Sequence, residues 1–252
     1  MKSAPVAVVS GVTADIGPAV VRELWSRGAR VVGLYHRSRA RTAALAAEAR
    51  ERGAEIVFHP LDFTRPVAAR RAARRIARST ITGFGRVDAL VGLAGYPAQR
   101  VWREPFAELS PRRFENIYRV DTLGHVWLAQ ALGREIARRR GAIVLMCSAA
   151  ALIGDDLGIA FALAKSANVA LVKSLARLLA PRVRVNGIAP GALRTAWLRE
   201  LSPRERRAAR DKALLRRYGE PEEVARLIGE LALGPCRFQT GQVVVLDGGV
   251  AL

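Results

Sequence analysis

The sequence predicts an α/β fold in which seven parallel strands form one doubly wound sheet with helices on both faces. Three observations carry that expectation. Short apolar runs alternate with amphipathic stretches along the whole chain. The first run feeds a glycine-bearing turn, Ser10 to Gly17, that opens a helical pattern. No break of composition, internal repeat or low-complexity tract divides the 252 residues, half of them hydrophobic, so residues 1–252 are expected to form one domain around one core.

The first strand, 6–10, reads Val-Ala-Val-Val-Ser, an apolar run suited to burial on both faces. Helical spacing follows at 18–27, and the run Val-Val-Gly-Leu-Tyr at 31–35 returns the chain to the sheet. The cycle repeats with a helix at 41–52 and a strand at 56–59, then a helix at 68–80 and a strand at 89–93. The longest helical pattern, 112–139, precedes the apolar run 142–148, and a second long helix, 161–179, precedes strand 183–188. Arginine-rich 198–217 reads as a mobile helical excursion whose end is punctuated by Gly219 and Pro221. Helix 221–231 and strand 243–246 complete the series. Strands that alternate with helices in this way pair in parallel through crossovers.

The formal charge is +19, yet only Lys2, Lys165, Lys173 and Lys212 among the 41 basic residues are lysines. The arginines are spread over nearly every helical face, which describes a solvated basic surface, and no nucleic-acid-binding motif accompanies them. If the charge serves a partner, an acidic protein or a phosphorylated carrier fits better than DNA. Cys147 and Cys236 are far apart and unaccompanied by histidine clusters, and His36, His59 and His125 share no ligand spacing, so neither a disulfide framework nor a metal is expected. No apolar run reaches the roughly 18 residues of a membrane span, and Met1 to Pro5 leads straight into a strand, so a cytoplasmic protein is expected, with no membrane association.

In Ser10-Gly11-Val12-Thr13-Ala14-Asp15-Ile16-Gly17, the bare backbone at Gly11 and Gly17 and the amides of the opening helix suit a pyrophosphate. A tight strand-to-helix turn would need the same glycines. Asp15 stands where such turns carry a middle glycine and brings a carboxylate near the phosphates. The second strand ends in Tyr35-His36-Arg37-Ser38, with no acidic residue to accept ribose hydroxyls, whereas a guanidinium and a hydroxyl suit a 2′-phosphate. The expected cofactor is therefore NADP(H), on a Rossmann-type sheet.

With Asp62, Ala94-Gly95, Ser148, Lys165, Asn186, Pro190-Gly191, Thr195, Tyr218 to Val224, Thr240-Gly241-Gln242 and Asp247-Gly248-Gly249 added to the glycine turn, the chain resembles the short-chain dehydrogenases/reductases along its whole length. It is similar within them to 3-oxoacyl-carrier-protein reductases. The segment ending in His36-Arg37-Ser38 is similar to pteridine reductases, in which it grips the 2′-phosphate. The resemblance implies that Gly11, Thr13, Asp15, Ile16 and Gly17 surround the pyrophosphate and that Asp62 contacts the adenine. It implies that Ala94, Gly95, Pro190 and Gly191 border the nicotinamide, and that Thr195 holds the carboxamide or a phosphate. Ser148 would bind the substrate carbonyl and Lys165 the nicotinamide ribose, with 198–217 on the substrate side. It also implies a dimer or tetramer, homo- or hetero-oligomeric, and an acyl carrier protein docking on Arg139 and Arg182.

Three departures fall on the catalytic residues. Phe161, four residues before Lys165, stands at the family's tyrosine position and has no ionisable proton. Asp121 replaces the asparagine that anchors a relay water, and Gly92-Leu93 replace paired asparagines. The expected protein is an impaired or accessory subunit of an acyl or polyketide pathway. The alternative is an active reductase, isomerase or dehydratase using another acid. Asp121 would either pair with Lys165 or, raised in pKa by burial, donate a proton; Tyr96 would either reach the substrate or pack under its loop. Asp155 and Asp156 read as turn caps at Gly154, and alternation along the strand turns Cys147 away from the face of Ser148.

Overall fold

The computed structural model describes residues 4–97, 106–155 and 158–252. The strands β1 (Val6–Ser10), β2 (Arg30–Tyr35), β3 (Ile56–Pro60), β4 (Ala89–Gly92), β5 (Ala142–Met146), β6 (Arg184–Pro190) and β7 (Val243–Leu246) form one sheet in the order β3-β2-β1-β4-β5-β6-β7. Every pairing is parallel. Alternate side chains of the central strands therefore enter opposite layers, and both layers are apolar. On one face α1 (Gly17–Ser26) and α9 (Pro221–Leu233) cover Ala7, Val9, Val91 and Val144, and α2 (Arg39–Glu51) adds Leu45. On the other, α3 (Pro66–Phe84), α5 (Gly124–Arg138) and α7 (Ile159–Leu179) cover Val8, Leu90, Ile143 and Val185.

The helix expected at 112–139 is continuous in space but not uniform. It begins as α4 (Pro111–Tyr118), widens into a π-helical turn at Arg119–Leu123, and resumes as α5. The inserted turn rotates Asp121 and Thr122 inward, and the Thr122 hydroxyl donates to the carbonyl of Ala164 at 2.9 Å on α7. Tertiary contact, not local pattern, fixes this widening.

Two other expectations change. α7 is long enough, and at a mean hydropathy of 1.4 apolar enough, to cross a membrane by length and composition; here its face bearing Ala164, Asn168, Val172 and Ala176 is buried within the fold. The short helix α6 (Ala150–Ile153) follows β5, and the helical excursion expected at 198–217 is a 3₁₀ turn (Ala196–Glu200) followed by α8 (Pro203–Asp211), which opens on a reciprocal cap between Ser202 and Glu205.

Candidate active site

In a sheet of this order a ligand crevice opens where neighbouring strands send their connections to opposite faces, here beyond the carboxyl ends of β1 and β4. The backbone requires Gly11 there: its φ is +69°, and a Cβ would lie 2.8 Å from the amide nitrogen of Ala94. Gly17 is equally constrained, because a Cβ would strike the carbonyl of Val12. The turn closes on itself through Ala14 N to Gly11 O at 2.8 Å and Gly17 N to Ala14 O at 2.9 Å. These glycines leave a bare-backbone cradle of the kind that would suit a pyrophosphate. Asp15 is the residue that does not fit it, for its carboxylate spans the crevice: Oδ2 accepts from the amide of Ala196 at 3.0 Å, and Oδ1 lies 3.4 Å from Nη1 of Arg41. Arg41 also donates to the carbonyl of Thr13 at 2.7 Å.

At the end of β2, Arg37 is exposed beside half-buried Ser38. His36 Nε2 lies 3.5 Å from Oδ2 of Asp62. The other Asp62 oxygen accepts from the amide and hydroxyl of Thr64 at 2.9 and 2.6 Å. Partial burial opposes ionisation of Asp62, but the Thr64 bonds and the charges of His36 and Arg65 outweigh it and hold the carboxyl below its usual range.

The crevice continues into a cavity of about 740 Å³ lined by Ile16, Gly95, Ser148, Phe161, Lys165 and, from β6 onward, Pro190, Gly191 and Thr195. Gly191 lets the chain pass close to Asp247, whose Cα a Cβ would approach to 2.9 Å. Ser148, just beyond β5, accepts from the amide of Ala150 at 3.3 Å. One turn separates Phe161 from Lys165 on α7, and the ammonium sits 5.5 Å from the phenyl centroid, within cation–π range.

Beneath that contact lies a buried polar cluster. Lys165 Nζ is 3.1 Å from Oδ2 of Asp121, and both side chains are removed from solvent. Asp121 Oδ1 accepts from the amide of Tyr96 at 2.6 Å. Asn168, one turn after Lys165, donates to the carbonyls of Asp121 at 2.7 Å and Met146 at 3.1 Å. Burial pushes the Asp121 carboxyl upward against the pull of Lys165 and the Tyr96 amide. A methyl at Gly95 would come within 3.3 Å of Asp121 Oδ2, and both residues line the cavity, so the bare backbone at Gly95 leaves that carboxyl uncrowded. His125 is fully buried beside the cluster; burial and the nearby ammonium lower its pKa to about 3, and neither ring nitrogen finds a hydrogen-bond partner among the described residues. Gly92 makes space for that imidazole, since a Cβ would meet its Cδ2 at 2.9 Å.

The alternatives left open by the sequence are narrowed by these positions. Asp121 pairs with Lys165. Tyr96 packs against Ile117, Ala160 and Ala164. Asp155 caps its turn by accepting from the amide of Gly158 at 3.1 Å, while Asp156 lies outside the described residues. Cys147 is buried in the core with its thiol pushed up to about 11 by burial. Among the described residues no cluster could hold a metal ion. Sequence reasoning did not find Asn168, the Asp15–Ala196 bond or the Gly92–His125 fit. The one visible signal was Asn168, a polar residue at i+3 from Lys165 on a helix face otherwise made of Ala164, Val172 and Ala176.

The family profile described as enoyl-(acyl carrier protein) reductase matches residues 11–251. A Streptomyces violaceoruber protein carrying the name of a ketoacyl reductase 2 of the granaticin polyketide synthase is 31% identical over 99% of this chain and 97% of its own. The 3-oxoacyl-[acyl-carrier-protein] reductase FabG of Thermotoga maritima is 27% identical over 98% of each. Among solved structures, a short-chain dehydrogenase/reductase of Serratia marcescens superposes with a TM-score of 0.89 at 27% identity over 99% of both chains. Sheet order, glycine cradle and these matches over nearly the whole length agree: the chain belongs to the short-chain dehydrogenase/reductase family of oxidoreductases, whose members bind NAD or NADP.

Proposed function

We propose that this chain is an NADP(H)-binding homologue of the 3-oxoacyl-carrier-protein reductases in which Phe161 occupies the tyrosine position, and that it serves as an impaired or accessory subunit of an acyl or polyketide pathway. The observation that carries the reading is the pairing of Lys165 with a phenyl ring on one side and with Asp121, 3.1 Å away, on the other. When bound, a reduced nicotinamide would supply a hydride to a carbonyl. Ser148 has a hydroxyl on the cavity wall with which to hold that carbonyl oxygen, and Lys165 has an ammonium with which to orient a ribose. No group at Phe161 can deliver the proton, and a missing general acid costs about 10²- to 10⁴-fold in rate. Arg37 and Ser38 support NADP(H) over NAD(H), because no carboxylate stands among Tyr35 to Ser38 to repel a 2′-phosphate.

A substrate delivered on an acyl carrier protein fits the exposed guanidinium of Arg182 and that of Arg139, whose Nη2 is fixed by the carbonyl of Gly85 at 2.8 Å. Self-association or pairing with an active homologue would use α5 and α7. Of the apolar residues on these helices, Leu128 is spent in the core, whereas Val126, Ala131, Leu171 and Leu175 are only half-buried.

A second reading is favoured by the buried, raised Asp121 carboxyl at the same cavity: an active reductase, or a nonredox isomerase or dehydratase, with Asp121 as its acid. NADPH consumption with a panel of 3-oxoacyl thioesters and quinones separates the two. Background rates that rise on Phe161→Tyr support the impaired subunit; turnover that is lost in Asp121→Asn supports the second reading.

A further inference from the structure

Asp15 is only partly exposed and does not cap the helix that follows it. It reaches across the crevice to an amide 181 residues later in the chain. The acceptor oxygen and the amide of Ala196 are 3.0 Å apart, and the side chain retains 27% of its exposure. Ala196 opens the 3₁₀ turn that leads into α8, and Trp197, Leu201, Ala208 and Ala209 from this stretch line the cavity. One carboxylate thus ties the glycine turn to the roof of the cavity, with Arg41 as its counter-charge on the turn side. The same place must admit two phosphate charges if the crevice holds a dinucleotide. Two anions cannot share that amide without repulsion, and Asp15 is the one acidic side chain on a turn whose ends, Gly11 and Gly17, are bare.

We infer that Asp15 is a latch that sets cofactor affinity: its carboxylate holds the Ala196 wall onto the glycine turn, and a dinucleotide binds only by displacing it, which frees the 3₁₀ turn and α8 over the substrate cavity. The inference rests on the reading that the crevice takes a nicotinamide dinucleotide. Cofactor affinity and roof mobility are then coupled through one side chain, since whatever displaces the carboxylate also releases the roof.

Two measurements on the full chain test this. Calorimetric titration with NADPH and NADH compares the unaltered protein with Asp15→Gly and Asp15→Asn, and hydrogen exchange of the nucleotide-free proteins follows the peptides spanning 196–211. Asp15→Gly is expected to bind NADPH at least about tenfold tighter and to exchange faster at the Ala196 amide. Asp15→Asn keeps an oxygen acceptor but loses the charge, so its exchange should stay near that of the unaltered protein while its affinity rises in part. Unchanged affinity in Asp15→Gly overturns the latch and leaves the crevice reading standing. Unchanged exchange overturns it as well, whatever the affinity. Should no variant bind either nucleotide, the crevice reading falls and the latch, as a control on cofactor affinity, falls with it, even if Asp15→Gly exchanges faster.

Discussion

Replacing Phe161 by tyrosine puts a phenol beside the Lys165 ammonium, and the recovery of ketone reduction can be scaled from the distances. At the ring-centroid separation of 5.5 Å and an effective dielectric of about 20, a lone ammonium would favour the phenolate by about 3 kcal/mol, roughly two units below the ordinary phenol pKa of about 10. The ammonium is not alone: Asp121 Oδ2 at 3.1 Å cancels most of its field. Phe161→Tyr should therefore recover only the lower end of what a positioned acid contributes, about 10²-fold. Adding Asp121→Asn should raise the rate about tenfold further, because the phenol then feels an unopposed cation. That second change leaves a buried lysine without its partner, at a cost of roughly 3–5 kcal/mol in stability, so thermal melts must accompany the kinetics. The assay is NADPH oxidation with 3-oxoacyl thioesters at saturating cofactor. Folded, cofactor-binding variants that stay at background would refute the argument. So would an unaltered protein that turns over and slows on Phe161→Tyr, because the phenyl ring would then belong to the working site.

Titration calorimetry should give tighter binding of NADPH than NADH, and Arg37→Glu should abolish the difference; equal affinities for the unaltered protein remove the 2′-phosphate argument. His125 should make the fold acid-sensitive. Its folded pKa of about 3 lies below the ordinary 6.5, so the unfolded chain takes up a proton first as pH falls. Stability present above pH 6.5 is then lost toward pH 3 at about 1.4 kcal/mol per unit, or about 2 kcal/mol by pH 5. Urea denaturation at pH 7 and 5 should show this loss in the unaltered protein and a smaller one in His125→Val; equal losses would exclude His125 as the cause. Arg139→Glu with Arg182→Glu should weaken acyl carrier protein binding and flatten its salt dependence, whereas unchanged affinity removes this docking site. Light scattering should report a dimer or tetramer, and a 27.3 kDa monomer at micromolar concentration would count against association through α5 and α7.

The sheet was legible because each strand is an apolar run bounded by turn residues, and a parallel sheet covered on both faces demands such runs. Gly11 was legible for the same kind of reason: only a bare backbone with positive φ passes this close to Ala94. The π-helical turn at Arg119–Leu123 was not, since one residue inserted in a helix leaves the apolar periodicity on either side intact, and the contacts that hold it come from Ala164 and Asn168 on another helix. Asp15 announced itself as an odd residue in a glycine turn, but its partner Ala196 is distant in sequence and offers only a backbone amide, which no sequence pattern marks. Likewise Gly92 and His125 each read as an isolated oddity, while their fit is purely spatial.

Phe161, Asp121 and Asn168 make physical sense as one set of neighbours around Lys165. A buried ammonium facing a phenyl ring keeps a cation–π contact but receives no hydrogen-bond acceptor from that side chain, and an uncompensated charge at such depth is costly. Asp121 supplies the missing counter-charge at 3.1 Å, and the π-helical turn points it inward to do so. Asn168 then occupies the backbone carbonyl that the same turn exposes, at 2.7 Å. If Phe161 stands in place of a tyrosine and Asp121 in place of an asparagine, as proposed, the two changes are complementary: together they give the buried Lys165 a ring contact and a carboxylate partner without a phenol. This is why Asp121→Asn alone should destabilise the fold, whereas its combination with Phe161→Tyr, which returns an acceptor oxygen to the ammonium, should recover part of that loss.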